Sequence, residues 1–347
     1  MKKIISALMS VLICIALTGC GETEDMLESS SNTTAPDTIS VSDKTENPSL
    51  QSTEPEATRA TEISTEGMEK TSNGGQDVTP TEEKEYTYTT QELWCSNSGK
   101  KIYGQIYLPD GVSAPMPAVI LSHSFSLTHA SMNSYCINLA KKGYAAYCFD
   151  FCGGSTSSKS DGETSEMTVF TEVCDLEAVL DHLRSLSYID RDNIFLLGTS
   201  QGGLVSALAA AERPTQVRGL ILMYPGFSIA KQVTDFFKNP DDLDQLFDLP
   251  MISMMPVGEN YVKSLYGYDV YEHIKSYSRD VLILHGSNDL IVPPSYSERA
   301  VEVYPHATLH IIEGAGHGFN KENFSISGNF DGEVLPYVFE YLQVHTT

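Results

Sequence analysis

Residues 194–203 read Ile-Phe-Leu-Leu-Gly-Thr-Ser-Gln-Gly-Gly, and they restrict the fold more than any other stretch of the chain. The apolar run 194–197 is of the buried-strand type, and 204–211 has the composition of a helix. Between them lies Gly198-Thr199-Ser200-Gln201-Gly202, a G-x-S-x-G turn that carries meaning in a strand–turn–helix setting. The reversal is so tight that Ser200 must adopt a strained backbone, and side chains at Gly198 and Gly202 would collide with neighbouring elements. Ser200 Oγ is then lifted above the edge of a sheet. The N-terminus of the following helix favours negative charge developing beside it.

The rest of the chain supplies such a sheet. Residues 86–94 and 101–108 alternate and read as an antiparallel hairpin. Apolar runs at 118–121, 145–149, 220–223, 281–284 and 308–312 read as further strands. Helical spacing occupies 133–142, 168–186, 294–303 and 334–344. In 168–186 a single stripe holds Val169, Val173, Leu176, Val179, Leu180 and Leu183. Strands alternating with helices imply a mostly parallel sheet covered on both faces. One connection is too long: more than 50 residues separate the strand ending near Tyr224 from the one starting at Val281. A parallel crossover needs only about a dozen, so 226–279 is expected to form a lid over the carboxyl edge of the sheet.

A serine hydroxyl is a weak nucleophile until a base removes its proton. His317 sits in Gly314-Ala315-Gly316-His317-Gly318-Phe319, directly after the strand at 308–312, where small residues let a loop approach Ser200. His310 lies within a strand, His285 at a strand end and His306 beside a Pro, and all three read as structural. The base needs a carboxylate to hold its tautomer and stabilise the imidazolium. Asp289, on the loop after 281–284, is that carboxylate. Asp150, after the strand at 145–149, reads as a structural hydrogen-bonding residue. The chain order is Ser200, Asp289, His317. No Walker or dinucleotide-type glycine loop and no Cys/His set at metal spacing occurs in the sequence, so no cofactor and no metal is expected.

Charge and targeting bound the setting. The chain has 22 basic and 46 acidic residues, a net charge of −24, which excludes nucleic acid as a partner bound through its phosphates. Lys2 and Lys3 precede an apolar run at 4–17, shorter than the roughly 20 residues a transmembrane helix needs. Leu17-Thr18-Gly19-Cys20 then resembles the bacterial lipoprotein box. The resemblance implies a signal peptide at 1–19 and a lipidated Cys20 that anchors the exported chain to the outer face of the cell membrane. Residues 21–85 carry 16 acids, 4 bases and 21 Ser or Thr, with no aromatic residue. The segment 20–85 is therefore expected to be a disordered tether, and 86–347 the catalytic domain. Of the remaining cysteines, Cys136, Cys148 and Cys174 lie in core-like segments and read as small buried hydrophobes.

The elbow, the alternating elements and the Ser–Asp–His order together resemble the α/β-hydrolase fold over roughly 86–345. That resemblance implies a mostly parallel eight-stranded sheet with helices on both faces and an inserted lid. It also implies an oxyanion hole made by the backbone N–H groups of Phe125 and Gln201. Phe125 belongs to His123-Ser124-Phe125, where many relatives have His-Gly-Phe, so Ser124 departs from the pattern. Lys142-Gly143-Tyr144 through Cys152-Gly153-Gly154, the Asp161-Gly162-Glu163 loop and Gln201 in the elbow are similar to bacterial cinnamoyl and feruloyl esterases. The activity implied is a serine carboxylic-ester hydrolase acting on small hydroxycinnamoyl esters of plant cell-wall type. The alternatives are an exo-acting serine peptidase of the same fold and a non-catalytic surface binding protein.

Overall fold

The structure is a computed structural model that describes residues 84–239, 241, 255–321 and 330–347. The signal peptide at 1–19, Cys20 and the tether up to residue 83 lie outside the described residues, as do Phe247, Met251 and Met254 of the expected lid.

In chain order the strands are β1 (Tyr88–Glu92), β2 (Cys95–Asn97), β3 (Lys100–Ile102), β4 (Gly104–Pro109) and β5 (Met116–Ser122), then β6 (Ala145–Phe149), β7 (Ile189–Thr199), β8 (Gly219–Met223), β9 (Val281–Gly286) and β10 (Ala307–Ile312). The described helices are α1 (Asn133–Lys141), α2 (Val169–Ser185), α3 (Gln201–Glu212), α4 (Ile229–Phe236), α5 (Glu259–Leu265), α6 (Val270–Ile274), α7 (Ser295–Val303) and α8 (Asp331–His345). Eight strands form one sheet in the order β1-β4-β6-β5-β7-β8-β9-β10. β1–β4 and β4–β6 are antiparallel, and every pairing from β6 to β10 is parallel.

The expected hairpin of 86–94 with 101–108 needs one correction. β1 and β4 do pair, from Tyr88↔Pro109 to Glu92↔Gln105. Residues Lys100–Ile102, however, turn back on Cys95–Asn97 as a separate two-stranded hairpin. Ser98 and Gly99 both have positive φ, 49° and 87°, the backbone that a tight two-residue hairpin turn requires.

Successive residues of the central strands feed opposite faces, as the pleat demands. Ala118 and Ile120 of β5 join the core cluster that contains α2 and α3. Val119 and Leu121 join the cluster that contains α1 and α8. α2 starts where Thr168 caps it: Thr171 N–H donates to Thr168 Oγ1 at 3.0 Å and Thr168 N–H to Thr171 Oγ1 at 2.9 Å. Its stripe from Val169 to Leu183 is buried. Cys174 is a correction, because it is exposed while Cys95, Cys136, Cys148 and Cys152 are buried. It follows Val173 by one residue, about 100° round the helix, which puts it on the face away from the stripe.

The chain between Met223 and Val281 holds α4, α5 and α6. Phe227, Phe237, Met255, Tyr261, Val262 and Tyr271 are buried there, in the same cluster as α3. The apolar side of this insertion is thus continuous with the main core.

Candidate active site

Four loops meet at the carboxyl ends of β5, β7, β9 and β10. Ser200 follows β7 with φ 49° and ψ −118°, a region that L-residues enter only when the surroundings hold them there. The hold is explicit. Ser200 N–H donates to Met223 O at 3.0 Å, and its carbonyl accepts from Gly203, Leu204 and Gly226 N–H at 2.9, 3.1 and 2.7 Å. A Cβ on Gly198 would run into the Gly202 carbonyl, and one on Gly202 into the carbonyls of Ser122 and His123. Both glycines are required by close backbone approach.

The structure brings Ser200, His317 and Asp289 into one hydrogen-bonded line. Ser200 Oγ lies 3.0 Å from His317 Nε2, and His317 Nδ1 lies 2.7 Å from Asp289 Oδ2. The carboxylate requires the imidazole proton on Nδ1, which leaves the Nε2 lone pair facing the serine hydroxyl. The Tyr224 ring packs on His317 in a T-shaped contact, with the ring centroids 4.8 Å apart. The two loops that carry His317 and Asp289 are tied together. Asn288 N–H donates to Ala315 O at 2.8 Å, and Gly314 N–H to Ser287 Oγ at 2.8 Å.

Asp289 is buried, with 3 % of its surface exposed. Its Oδ1 accepts from Ile291 and Val292 N–H, both at 2.9 Å. Its Oδ2 faces a second imidazole as well, His285 Nε2 at 3.2 Å. Burial opposes the charge, but the bonds from His285 and His317 outweigh it and hold the carboxyl well below the usual range. His285 is satisfied, as a structural histidine should be: Nδ1 meets Ser297 Oγ at 2.7 Å and Nε2 meets Val292 O at 2.8 Å. Its contact with Asp289 was not legible from its place at a strand end. The four-residue spacing from His285 to Asp289 was the available signal.

Gln201 opens α3, so its N–H is among the first-turn donors that have no partner within the helix. Phe125 stands in a turn closed by Leu127 N–H donating to Ser124 O at 3.1 Å, with φ 61° at Ser126. That bond uses the N–H of Leu127 and not that of Phe125. Ser124 is not among the positive-φ residues. Its Oγ lies 2.9 Å from Thr199 Oγ1, which ties the Phe125 turn to the residue before Ser200. His123 beneath the turn is buried; its Nδ1–H donates to Ser124 O at 2.8 Å and its Nε2 accepts from Phe151 N–H at 3.4 Å. Burial pushes its pKa down, so it braces the loop as a neutral ring. A Cβ on Gly226 would come within 3.2 Å of both Gln201 N and Ser200 C, so glycine there keeps the approach to these atoms open.

The side chain of Gln201 points the other way, into the protein. Nε2 donates to Glu172 Oε2 of α2 at 2.8 Å, and Oε1 accepts from Tyr261 O–H of α5 at 2.7 Å. Neither partner is visible in the sequence, because they lie 29 and 60 residues away. Asp150 lies outside the line: it accepts from His129 N–H, His129 Nδ1 and Lys159 N–H at 2.7, 2.7 and 2.8 Å. His310 stacks on Tyr337 at 4.1 Å. Among the described residues no group of His, Cys, Asp and Glu is assembled to hold a metal ion, and no helix is long and apolar enough to cross a membrane.

Known proteins resemble this chain to differing extents. A family model described as Serine aminopeptidase, S33 (Hydrolase_4) matches residues 113–249. Monoglyceride lipase of Rattus norvegicus is 23 % identical over 71 % of this chain and 89 % of its own length. Putative esterase/lipase 2 of Mycoplasma genitalium is 24 % identical over 57 % of this chain and 81 % of its own. Among solved structures, ferulic-acid-bound Est1E from Butyrivibrio proteoclasticus superposes with a TM-score of 0.61 at 24 % identity, over 73 % of this chain and 98 % of that one. An acetyl xylan esterase from Paenibacillus sp. R4 superposes with a TM-score of 0.56 at 16 % identity, over 77 % of this chain and 86 % of that one. At these identities the structural likeness speaks to architecture. With its eight-stranded sheet, its serine elbow and these neighbours, the chain is an α/β-hydrolase by fold.

Proposed function

We propose that the protein is a serine hydrolase of carboxylic esters working through an acyl-enzyme. The observation that carries this is the unbroken line Ser200–His317–Asp289, with contacts of 3.0 and 2.7 Å. Ser200 Oγ attacks the ester carbonyl carbon while His317 Nε2 takes the hydroxyl proton, and Asp289 stabilises the imidazolium. The carbonyl electron pair moves onto oxygen, where the N–H groups of Phe125 and Gln201 receive it. The pair then returns, the C–O bond to the alcohol breaks, and His317 donates its proton to that alcohol. Water, deprotonated by His317, repeats the sequence on the acyl-enzyme and frees the acid. Ser200→Ala is expected to lower kcat by at least about 10³-fold. Near wild-type turnover in that variant, or failure of a fluorophosphonate to label Ser200 in the wild type, would remove the reading.

The substrate class proposed is a hydroxycinnamoyl ester. Two things support it: the fold neighbour Est1E, whose structure holds ferulic acid, and an insertion rich in aromatic side chains. A second reading, an exo-acting serine peptidase, is favoured by the description of the family model that matches residues 113–249. Ester and amide hydrolysis share the same triad, so an activity panel of methyl ferulate, acetyl esters and aminoacyl nitroanilides separates the two. The proposed location is the outer face of a bacterial membrane, through diacylglyceryl on Cys20, since two acyl chains anchor stably where one is marginal. Cys20→Ser in the host should leave the protein unprocessed or soluble; retention of the processed protein in the membrane fraction would refute the anchor.

A further inference from the structure

The Gln201 carboxamide is gripped at both ends within the core. It is 1 % exposed, and so are Glu172 and Tyr261, its partners. They arrive from two elements on different sides: Glu172 from the first turn of α2, Tyr261 from α5 in the insertion. A second contact joins the same tyrosine to the other expected oxyanion residue, for the Tyr261 ring meets the Phe125 ring edge-on at 6.1 Å. One side chain of the insertion therefore touches both residues expected to form the oxyanion hole.

We propose that Tyr261 and Glu172 are positioning residues of the oxyanion hole, which clamp the Gln201 carboxamide and so make the placement of its N–H depend on α5 being seated. The inference rests on the acyl-transfer reading above and deepens it.

The physical argument is one of stakes. A buried carboxamide must satisfy its donors and its acceptor, because an end left unpaired forfeits the full cost of its desolvation. With Oε1 bonded to Tyr261 and Nε2 to Glu172, rotation of the side chain would break both bonds at once. The Gln201 side chain and its N–H share one Cα at the N-terminus of α3, directly after the strained Ser200. Fixing the carboxamide therefore fixes the donor. Donor geometry matters steeply, since a misplacement of about 1 Å can cost on the order of 10²-fold in rate.

The charge state of Glu172 adds a measurable signature. Burial pushes its carboxyl up to about 8; the Gln201 bond opposes the rise and Asp175 adds to it. The titratable groups that face Glu172 are Asp175, a turn further along α2, and Tyr261 from α5. Gln201 from α3 brings none. Below that value Glu172 is neutral. Above it, a negative charge is buried against the Gln201 carboxamide and opposes negative charge developing at the N–H of the same residue.

The test uses the full-length protein and nitrophenyl acetate, whose small acyl group needs no aromatic pocket. Wild-type turnover that is lost in Ser200→Ala establishes the underlying reading independently of the clamp. Tyr261→Phe keeps the ring against Phe125 and removes only the hydroxyl. It is expected to lower kcat about tenfold with KM close to wild type. Glu172→Gln keeps the shape and both bonding types, and is expected to retain kcat near neutrality while abolishing the alkaline fall expected of the wild type above about pH 8. Glu172→Leu should lose kcat at every pH, because Gln201 Nε2 is left unpaired. Wild-type kcat in Tyr261→Phe, or an unchanged alkaline fall in Glu172→Gln, would overturn the proposal while leaving the triad assignment standing.

Discussion

His285 Nε2 lies 3.2 Å from Asp289 Oδ2, so the carboxylate that faces His317 faces a second imidazole on the same oxygen. The proton on His285 is fixed by its surroundings. Nε2 also points at Val292 O at 2.8 Å, an atom that only accepts, so Nε2 carries the hydrogen and Nδ1 receives the Ser297 hydroxyl. Asp289 is thus held by three hydrogen-bond donors, two backbone N–H groups on Oδ1 and His317 Nδ1–H on Oδ2, with the His285 N–H beside the same oxygen.

The first prediction concerns that second imidazole. His285→Gln keeps a polar group in the space but loosens the grip on Asp289, and kcat is expected to fall about tenfold with little change in KM. Asp289→Asn, which loses the charge and the acceptor for His317 Nδ1, should cost about 10³–10⁴-fold. Steady-state kinetics on one ester measures both. Wild-type kcat in His285→Gln would show that the two backbone N–H groups suffice to place the acid.

Gly202 supplies the second. An added Cβ would strike two backbone carbonyls, those of Ser122 and His123, and backbone cannot swing aside as a side-chain tip can. Gly202→Ala is expected to lose about 3 kcal/mol or more. Gly332 in α8 is the control: its Cβ position is open and its φ is ordinary, so Gly332→Ala should be neutral or stabilising by up to about 1 kcal/mol. Urea midpoints of the two variants compare them directly. Equal midpoints would mean that the β5 loop yields and that the elbow tolerates a side chain.

A third follows from the buried Glu172, pushed up to about 8 from an ordinary value of 4.5. Between those values the folded protein holds a proton that the unfolded chain has released. Stability therefore falls as pH rises across that window, by about 1.4 kcal/mol per unit at most, and changes no further above it. Glu172→Gln removes this slope. Relative to wild type the variant should gain stability steadily from about pH 5 to about pH 8. A constant difference between the two proteins over that range would mean that Glu172 is ionised in the folded state.

The parts of this site that the sequence makes legible are those in which position along one segment decides the chemistry. Ser200, Asp289 and His317 each follow an apolar run within a few residues, and a parallel sheet brings the carboxyl ends of such runs to one edge. The Gly198 and Gly202 positions are likewise dictated by a local turn. What escapes is whatever depends on two distant segments meeting. Glu172 reads as one acid on an amphipathic helix and Tyr261 as one aromatic residue among many, until the fold sets them on either end of Gln201. Cys174 fails for a different reason. Its neighbours are apolar, but one residue of helical rotation decides which face it takes, and it falls beside Glu177 and Asp181 on the outer one. The β2–β3 hairpin is hidden because three-residue strands carry too little pattern to interrupt the longer alternation around them.

The last prediction tests the acyl group. The aromatic residues of the insertion divide in two. Phe227, Phe237, Tyr261 and Tyr271 are buried and packed into the main core, so excising the insertion is expected to unfold the protein and cannot report on substrate choice. Tyr266 and Tyr268 are only partly buried, and Tyr268 already stacks on His273 at 4.5 Å. Selectivity must therefore be read from the intact protein. If the insertion builds an aromatic acyl pocket, kcat/KM for methyl ferulate or methyl p-coumarate should exceed that for methyl butyrate by at least about tenfold, or about 1.4 kcal/mol of transition-state binding. Ring stacking with an offset or edge-on partner contributes on the order of 0.5–1.5 kcal/mol, so a single well-placed tyrosine or phenylalanine accounts for the margin. The phenolic hydroxyl separates stacking from hydrogen bonding. Methyl cinnamate, which lacks it, should match methyl ferulate if only ring faces are used and fall below it if a tyrosine hydroxyl is engaged. Equal kcat/KM for aromatic and short aliphatic acyl esters would sink the hydroxycinnamoyl assignment. It would leave the proposed serine ester hydrolase intact, because the chemistry proposed for Ser200, His317 and Asp289 is at the carbonyl and not on the ring beyond it.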